Sequence, residues 1–283
     1  AGIEARFLLL RTPFFSQAEA VVKYADMSLN TDLSVIQELS RFALLQGIQH
    51  GIFLMVELGD LREGLMPAVV HDVVERVLEL DGVVLEGIGT NLACFGGIKP
   101  DAEKMGQLSL LANEIEVEFG LILPCVSGGN SANYDWFNAT PDVGRINNLR
   151  LGESIYLGCE TLHRKPIPGL FTDAFTLVAE VIESAIKPSF PYGEVCQDVS
   201  GQVPQFPDLG PMRRAILGIG RQDVLVSGLT PRAEIDILGA SSDHIIMNTR
   251  TTTYVAGDEV AIDLNYGALL SAMTSPYVEK LVL

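Results

Sequence analysis

The first 160 residues alternate short apolar stretches with amphipathic stretches of helical period, and this alternation constrains the fold more than any other feature. The apolar stretches predict strands at 6–11, 27–30, 51–58, 85–90, 121–126 and 146–150. The amphipathic stretches predict helices at 16–24, 31–46, 67–80 and 101–119. Strands that alternate with helices in this way indicate parallel βα units.

The second part of the chain has a different pattern of apolar and turn-forming residues. Beyond residue 170, β-like runs at 175–183, 214–220, 235–238, 243–248 and 259–266 are separated by Gly, Pro and Ser residues. Short β-like runs separated by turn-forming residues predict antiparallel strands, and we expect them to form a separate domain. We therefore expect a first domain over residues 1–168 and a C-terminal β domain over residues 169–283.

Polar residues stand at the end of nearly every predicted strand of the first domain. They are Arg11, Asn30, Asp60, Arg62, Asn91, residues 127–131 and Arg150. Reactive residues at the carboxyl ends of strands are typical of a (β/α)8 TIM-barrel enzyme, which needs eight units in about 250 residues. Six units in 160 residues are too few for a closed barrel, so we expect an incomplete one. An open sheet, or loops that are polar without a function, are the alternatives.

The sequence Ser-Gly-Gly-Asn-Ser at residues 127–131 directly follows an apolar strand. Glycines let backbone N–H groups crowd around an anion, and serine hydroxyls add further donors. Arg150 ends the next predicted strand and is soon followed by Gly152. This pair of strand ends predicts a cofactor that carries a phosphate. The phosphate would bind at the serine-glycine stretch, and a second hydrogen-bond acceptor of the cofactor, some distance away, would bind the arginine. A plain serine-glycine turn and a surface arginine are the alternative.

Charge and hydropathy exclude several classes of protein. The 19 basic and 36 acidic residues give a net charge of −17, which argues against nucleic acid as a partner because nucleic-acid binding needs a basic surface. The longest apolar runs, at 7–10 and 52–56, are far too short to span a membrane, and the first residues lack the basic start of a signal peptide. The four cysteines show no zinc-ligand spacing, so we expect a cytoplasmic enzyme without a metal site.

A series of motifs, taken in order, resembles the alanine/ornithine racemase family of pyridoxal-phosphate-dependent enzymes, which have fold type III. In the first domain the motifs are LGDLREG at 58–64, EGIGTN at 86–91, SGGNS at 127–131 and NNLRLGE at 147–153. In the second domain they are GIGRQDV at 218–224, ILGASSDH at 237–244 and LNYGALLSAMTSPYV at 264–278. The ordered set covers nearly the whole chain and is much more specific than any single motif.

The resemblance implies a site for pyridoxal 5′-phosphate. The residues that would hold or surround its phosphate are Ser127, Asn130, Ser131, Gly152, Glu153 and Tyr266. Ser131 and Tyr266 would contribute their hydroxyl groups, and Gly152 and Glu153 their backbone. We expect Ser131 and Tyr266 to converge on one anion, with Arg150 several ångströms away toward the ring.

Three residues would face the pyridine ring by the same resemblance. Arg150 would face the ring nitrogen and, because an arginine does not readily release a proton, would keep that nitrogen unprotonated. The ring is then a weaker electron sink, which suits racemisation. Arg62 would lie near the phenolic oxygen of the cofactor, and Asn91 stands where related racemases stack a histidine on the ring.

The lysines depart from the family pattern. These enzymes bind the cofactor as a Schiff base to a lysine on the first barrel strand, whereas the lysines here are at 23, 99, 104, 165, 187 and 280. None of them follows such a strand. The missing lysine and the missing barrel units lead to one expectation, which is that the N-terminal part of the barrel is absent and the chain as given is inactive.

A second departure concerns the catalytic tyrosine that the family carries in a Gly-Tyr-x-Asp motif and uses across a dimer interface. Arg221 stands at the tyrosine position here, between Gly220 and Gln222. The candidates for the second acid/base are therefore Arg221, Asp223, Asp243 and His244. Because arginine is a poor general base, Arg221 alternatively binds the substrate carboxylate. The resemblance also implies a homodimer with shared sites.

These observations favour a pyridoxal-phosphate-dependent racemase that acts on ornithine, lysine or alanine. The acidic surface and the carboxylates of Asp223 and Asp243 favour a basic amino acid, whose positive side chain would find a partner there. One alternative is an inactive fragment or a regulatory protein that binds pyridoxal phosphate. The other is a diamino-acid decarboxylase, against which Arg150 argues because decarboxylation gains from a protonated ring.

Overall fold

The computed structural model describes residues 4–197, 201 and 203–282, and the chain divides into two compact units. The first, here called the parallel unit, comprises Ala1–Ile155 and Cys159–Ile167. The second, here called the antiparallel unit, comprises Tyr156–Gly158 and Pro168–Leu283. In the described part of the chain, no helix is both long enough and apolar enough to cross a lipid bilayer.

The parallel unit is built on a five-stranded parallel sheet whose strands lie in chain order. The strands are β1 (Leu8–Leu9), β2 (Met27–Asn30), β3 (His50–Val56), β4 (Val83–Thr90) and β5 (Cys125–Ser127). The helices are α1 (Ala18–Tyr24), α2 (Leu33–Gln46), α3 (Val70–Leu78), α4 (Ala102–Phe119), α5 (Tyr134–Ala139) and α6 (Glu153–Leu157). Every residue of the central strand β3 is buried, as expected for a parallel strand covered on both faces.

The two longest helices begin and end at residues that favour those positions. The Asp32 side chain accepts a hydrogen bond from Ser34 N at 2.8 Å at the start of α2, and Asp101 accepts one from Lys104 N at 2.8 Å at the start of α4. Gly47 and Gly120 end these helices in the left-handed conformation, with φ of 68° and 64°. Glycine has no Cβ to oppose that conformation.

The core of the parallel unit has two parts. The larger part packs one face of the sheet against the helices and includes Ile52, Leu54 and Ile88. The smaller part covers the opposite face, where Phe53 and Met55 pack with Leu29. The alternation along β3 follows from the period of two in a strand, so successive residues serve the two faces in turn.

In its described residues, the antiparallel unit contains six strands and one complete α-helix, and the last residues of α6 also belong to it. The strands are β6 (Leu177–Pro188), β7 (Pro211–Leu217), β8 (Leu229–Pro231), β9 (Asp236–Ala240), β10 (Ile245–Asn248) and β11 (Glu259–Leu264), in the sheet order β8-β11-β6-β7-β10-β9. The helix is α7 (Tyr266–Thr274), and its Ala268 and Ala272 pack into the same core as β6 and β11. The predicted order, parallel βα units followed by antiparallel strands, is confirmed.

Several boundaries differ from the prediction. β5 begins at Cys125 rather than at 121, because Pro124 has no N–H to donate and Leu123 N donates to the Glu116 carboxylate at 2.7 Å. The predicted strand at 146–150 contributes an isolated parallel bridge between Ser127 and Asn148 rather than a full strand. The strand predicted at 259–266 stops at Leu264, where helix α7 follows directly.

Glu116 gives the parallel unit a contribution to stability that depends on pH. Its carboxylate makes two bonds of 2.8 Å with Arg145, which with the Leu123 N–H hold the pKa of Glu116 at about 2 rather than 4.5. A lowered pKa in the folded state stabilises above pH 4.5, and this contribution is lost as the pH falls toward 2. We expect Arg145→Met to remove about 1 kcal/mol of this acid-dependent stability, measured by urea unfolding at pH 3 and pH 6. Arg41→Met, which breaks the exposed pair with Glu38, is the control and should change the pH dependence less.

Candidate functional site

Polar side chains gather at the carboxyl ends of strands β3 to β5 in the parallel unit. Ser127 is the last residue of β5, Asn91 follows the last residue of β4, and Arg62 lies in the loop after β3. Parallel strands end at the same edge of their sheet, and in α/β folds ligands bind at that edge. The predicted cofactor residues Arg62, Asn91, Ser127, Asn130, Ser131 and Arg150 all belong to this region.

Arg150 is held by two strand ends. Its Nη1 donates to Ser127 Oγ at 2.5 Å, and its Nη2 donates to the Thr90 carbonyl at 2.7 Å. Its backbone N–H donates to the Gly129 carbonyl at 2.9 Å. Burial lowers the pKa of Arg150 to about 10, while the nearby Glu63 opposes the change. The guanidinium therefore stays protonated at neutral pH and has a fixed orientation.

The hydroxyl of Ser127 connects Arg150 to Asn148. Ser127 Oγ donates to Asn148 Oδ1 at 2.6 Å and accepts from Arg150 Nη1. Ser127 has no exposed surface, so this hydroxyl is enclosed by the protein. The sequence analysis did not single out Asn148 as a residue of this site. The signal for it was its position two residues before Arg150, in the motif at 147–153.

Three donors converge on Ser131. Its Oγ lies 3.3 Å from Gly152 N, 3.1 Å from Ser154 N and 3.1 Å from Ser154 Oγ. Ser131 and Ser154 are both almost fully buried. Ser154 is absent from the sequence prediction, which instead named Glu153, whose carboxylate pairs with Arg164. Ser131 Oγ thus takes all three donors in this structure, and backbone and hydroxyl donors are also the kind of group that binds an anion.

The glycine loop before Ser131 is fixed by asparagines. Asn133 Nδ2 donates to the Gly128 carbonyl at 2.8 Å, and Asn130 Oδ1 accepts from Ala132 N at 2.8 Å. Gly129 has φ of 141°, and a Cβ on it would lie 2.2 Å from Asn133 Oδ1. Gly129 therefore cannot carry a side chain, and the loop keeps its backbone close to the neighbouring groups.

Asn91 lies between Asn130 and Arg62. In one orientation its amide oxygen accepts from Asn130 Nδ2 at 2.8 Å, and in the other it accepts from Arg62 Nη1 at 3.2 Å. Arg62 also pairs with Glu63, and this hydrogen-bonded pair raises the pKa of the Arg62 guanidinium. Arg62 and Asn91 therefore lie side by side, and their roles toward a cofactor stay predictions.

Asp60 organises the loop that follows β4. Its carboxylate is almost fully buried and accepts from Cys94 N at 3.2 Å, Phe95 N at 2.9 Å and Gly96 N at 3.0 Å. The same loop places Cys94 Sγ 3.1 Å from Asn130 Nδ2. Asp60 thus connects the end of β3 to the loop that approaches Asn130.

The four predicted acid/base residues lie in two adjoining loops of the antiparallel unit. Arg221 N donates to the Ser241 carbonyl at 3.0 Å, which joins the loops. His244 Nδ1 lies 3.0 Å from Asp243 Oδ1, and both side chains are exposed. Asp223 is buried and accepts from Ser275 Oγ at 2.8 Å.

Tyr266 begins helix α7 in the antiparallel unit, and its side chain is partly exposed. Because Ser131 belongs to the other unit, the convergence of Tyr266 and Ser131 on one anion stays a prediction. Of the lysines that the structure describes, none directly follows a strand of the parallel sheet. Within the same described ranges, His, Cys, Asp and Glu side chains form no group of three suited to a metal ion.

Comparison with known sequences identifies similar proteins over almost the whole chain. The family described as "Alanine racemase, N-terminal domain" matches residues 1–159. The ornithine racemase of Acetoanaerobium sticklandii is 40% identical over 282 residues, which are 98% of this chain and 80% of that protein. The lysine racemase of Thermotoga maritima is 38% identical over 283 residues, which are 99% of this chain and 79% of that protein.

Comparison with solved structures supports the fold. The alanine racemase of Clostridium difficile 630 superimposes with a TM-score of 0.65 at 17% sequence identity, covering 96% of this chain and 72% of that one. At this identity the likeness concerns the fold alone. It confirms the predicted class, a partial (β/α)8-type barrel followed by an antiparallel β domain.

Proposed function

The chain belongs to the alanine racemase-like family of pyridoxal-phosphate-dependent enzymes, and from this premise we propose that it racemises a basic amino acid, with ornithine and lysine as the first candidates. One observation carries the proposal, namely identity of 40% and 38% to an ornithine racemase and a lysine racemase over nearly the whole chain. The exposed carboxylate of Asp243 supports the preference, because it would attract a positively charged side chain.

The residues at the sheet edge fit pyridoxal 5′-phosphate. The N–H groups of Gly152 and Ser154 and the Ser154 hydroxyl, which here donate to Ser131 Oγ, would with the Ser131 hydroxyl form a donor set for a phosphate group if they exchanged that oxygen for phosphate oxygens. Arg150 is protonated and anchored, so its remaining N–H groups would face the ring nitrogen, which accepts a hydrogen bond. The chemistry of these donors therefore matches the two ends of the cofactor.

The proposed mechanism assigns separate tasks to the two units. When bound, pyridoxal phosphate supplies the electron sink that makes the α-proton of an amino acid removable. Arg150 would keep the ring nitrogen unprotonated, Arg62 would lie near the phenolic oxygen, and Asn91 would lie beside the ring. Asp243 orients the His244 ring through Nδ1, which leaves Nε2 to exchange a proton with the substrate.

The loops that carry Arg221 and His244 suggest a shared site in a homodimer, as the resemblance implied. We propose that each copy lends these loops to the other and that Arg221 binds the substrate carboxylate. The molar mass in solution, measured by light scattering, decides between one and two copies.

The placement of the lysines supports a second candidate, a protein that binds pyridoxal phosphate without catalysing racemisation. Because none of the described lysines directly follows a strand of the parallel sheet, we propose that none provides the Schiff base or the first acid/base. An added primary amine can take over the role of a missing lysine as a base. The two candidates therefore differ in their response to such an amine.

We expect the 283-residue chain with pyridoxal phosphate to racemise L-ornithine and L-lysine only when methylamine is added, and faster than L-alanine. The measurement is the loss of optical rotation of each single enantiomer over time. No racemisation with or without methylamine would leave the binding protein as the function. Racemisation without methylamine would contradict the lysine argument, and release of carbon dioxide would indicate a decarboxylase.

A further inference from the structure

The hydrogen bonds around Ser127 have a defined direction. A serine hydroxyl has one proton to donate and two lone pairs to accept with. Ser127 Oγ lies 2.6 Å from Asn148 Oδ1, which is an acceptor, and 2.5 Å from Arg150 Nη1, which can only donate. The Ser127 proton must therefore point to Asn148, and a lone pair of Ser127 must face Arg150.

Main-chain contacts hold Asn148 where its side chain can accept the Ser127 proton. Gly128 N donates to the Asn148 carbonyl at 3.0 Å, and Asn148 pairs with Ser127 in a parallel bridge. These main-chain contacts do not depend on the Asn148 side chain. Replacing that side chain therefore removes the acceptor for Ser127 while the bridge itself is kept.

We propose that Asn148 is a positioning residue for Arg150 and acts through the hydroxyl of Ser127. This inference rests on the proposed function, in which Arg150 faces the ring nitrogen of pyridoxal phosphate. With Asn148 present, the guanidinium is fixed at Ser127 Oγ and at the Thr90 carbonyl, so it cannot rotate. Without Asn148, the Ser127 proton has lost its acceptor, so the hydroxyl is no longer held in one orientation and its bond to Arg150 Nη1 is weakened.

The consequence concerns protonation of the ring. An anchored, positively charged Arg150 disfavours a proton on the ring nitrogen, because two like charges would then meet. If the Arg150 guanidinium is held less firmly, it opposes protonation of the ring nitrogen less. Loss of the Asn148 acceptor should therefore raise the pH at which the bound ring takes up its proton, as well as weaken binding.

The test uses pyridoxine 5′-phosphate, which has no aldehyde and so needs no lysine for binding. Its affinity is measured by calorimetry, and the protonation of the bound ring by its ultraviolet absorption as a function of pH. For Asn148→Ala we expect about fivefold weaker binding and a protonation midpoint about half a pH unit higher than in the unmodified chain. Ser127→Ala should give the same two changes.

A double-mutant cycle separates this role from a general structural one. In the Ser127→Ala background, Asn148→Ala should have no further effect, because the connecting hydroxyl is already gone. The matched control is Asn147→Ala, since Asn147 bonds Val126 N and the Pro124 carbonyl instead of Ser127. That variant should lower the melting temperature without moving the protonation midpoint.

Three results would overturn the inference. Asn148→Ala could leave the midpoint unchanged, it could act additively with Ser127→Ala, or Asn147→Ala could shift the midpoint equally. Any of these, with normal binding by the unmodified chain, removes the role of Asn148 and leaves the proposed function intact. Failure of the unmodified chain to bind pyridoxine 5′-phosphate at all would instead overturn the proposed cofactor, and the role of Asn148 with it.

Discussion

Asp60→Ala is expected to destabilise the parallel unit by about 3 kcal/mol and to lower its melting temperature by about 9 °C. The substitution leaves the N–H groups of Cys94, Phe95 and Gly96 without their carboxylate acceptor. Hydrogen bonds to a charged group contribute more than neutral ones, and Cys94 N and Phe95 N lose theirs outright, while Gly96 N keeps the Asp60 backbone carbonyl at 3.0 Å. The loop is exposed, so water replaces part of what is lost and limits the effect. Differential scanning calorimetry measures the change.

Two variants accompany this measurement. Asp60→Asn keeps one carbonyl oxygen in place and should lose less stability than Asp60→Ala. Asp72→Ala removes an exposed aspartate of helix α3 and should change stability by no more than about 0.5 kcal/mol. A melting temperature for Asp60→Ala within about 3 °C of the unmodified chain, a margin of roughly 1 kcal/mol, would show that the carboxylate does not hold this loop.

Ser131→Asp is expected to weaken the binding of pyridoxal phosphate by about 100-fold or more. The carboxylate would accept from Gly152 N and Ser154 N in place of the serine oxygen, so the new charge is satisfied and the loop can still fold. The same charge would repel a phosphate, and like charges in contact cost several kcal/mol. Equilibrium dialysis against pyridoxal phosphate gives the affinity.

The control for Ser131→Asp is Ser16→Asp, which makes the same change at an exposed residue of the parallel unit. Pyridoxine without a phosphate provides a second comparison, because it should bind equally to the unmodified chain and to Ser131→Asp. If Ser131→Asp binds pyridoxal phosphate as tightly as Ser16→Asp does, Ser131 does not lie at the phosphate.

The sequence predicted the fold well where local signals and burial agree. Helix α4 was placed within one residue because Asp101 is a good N-cap and Gly120 a good C-cap. The same kind of reasoning missed helix α7, since residues 259–266 alternate as a strand does. Asn265 separates the strand from the helix. Its side chain accepts a hydrogen bond from Ala268 N at 2.9 Å and caps the N-terminus of α7.

The candidate site was less accessible from the sequence. Ser131 stands in a recognisable motif, whereas its neighbour Ser154 is brought to it by a return of the chain 23 residues later. Thr90 contributes only its backbone carbonyl to Arg150. Every residue type has such a carbonyl, so the sequence cannot indicate this contact. The role of Asn148 depends on the direction of one hydroxyl proton, which only the arrangement around Ser127 defines.

The strand orders of the two sheets have a consequence for how the chain folds during synthesis. In the parallel sheet every strand pairs with its neighbour in the chain, so the sheet can grow strand by strand from β1 to β5 as residues leave the ribosome. In the antiparallel sheet, β8 pairs only with β11 and joins the other strands through it, so the sheet is complete only after Leu264 has been synthesised. Contacts of large sequence separation form slowly, and the second unit should therefore acquire its structure last and stay exposed to proteases longest.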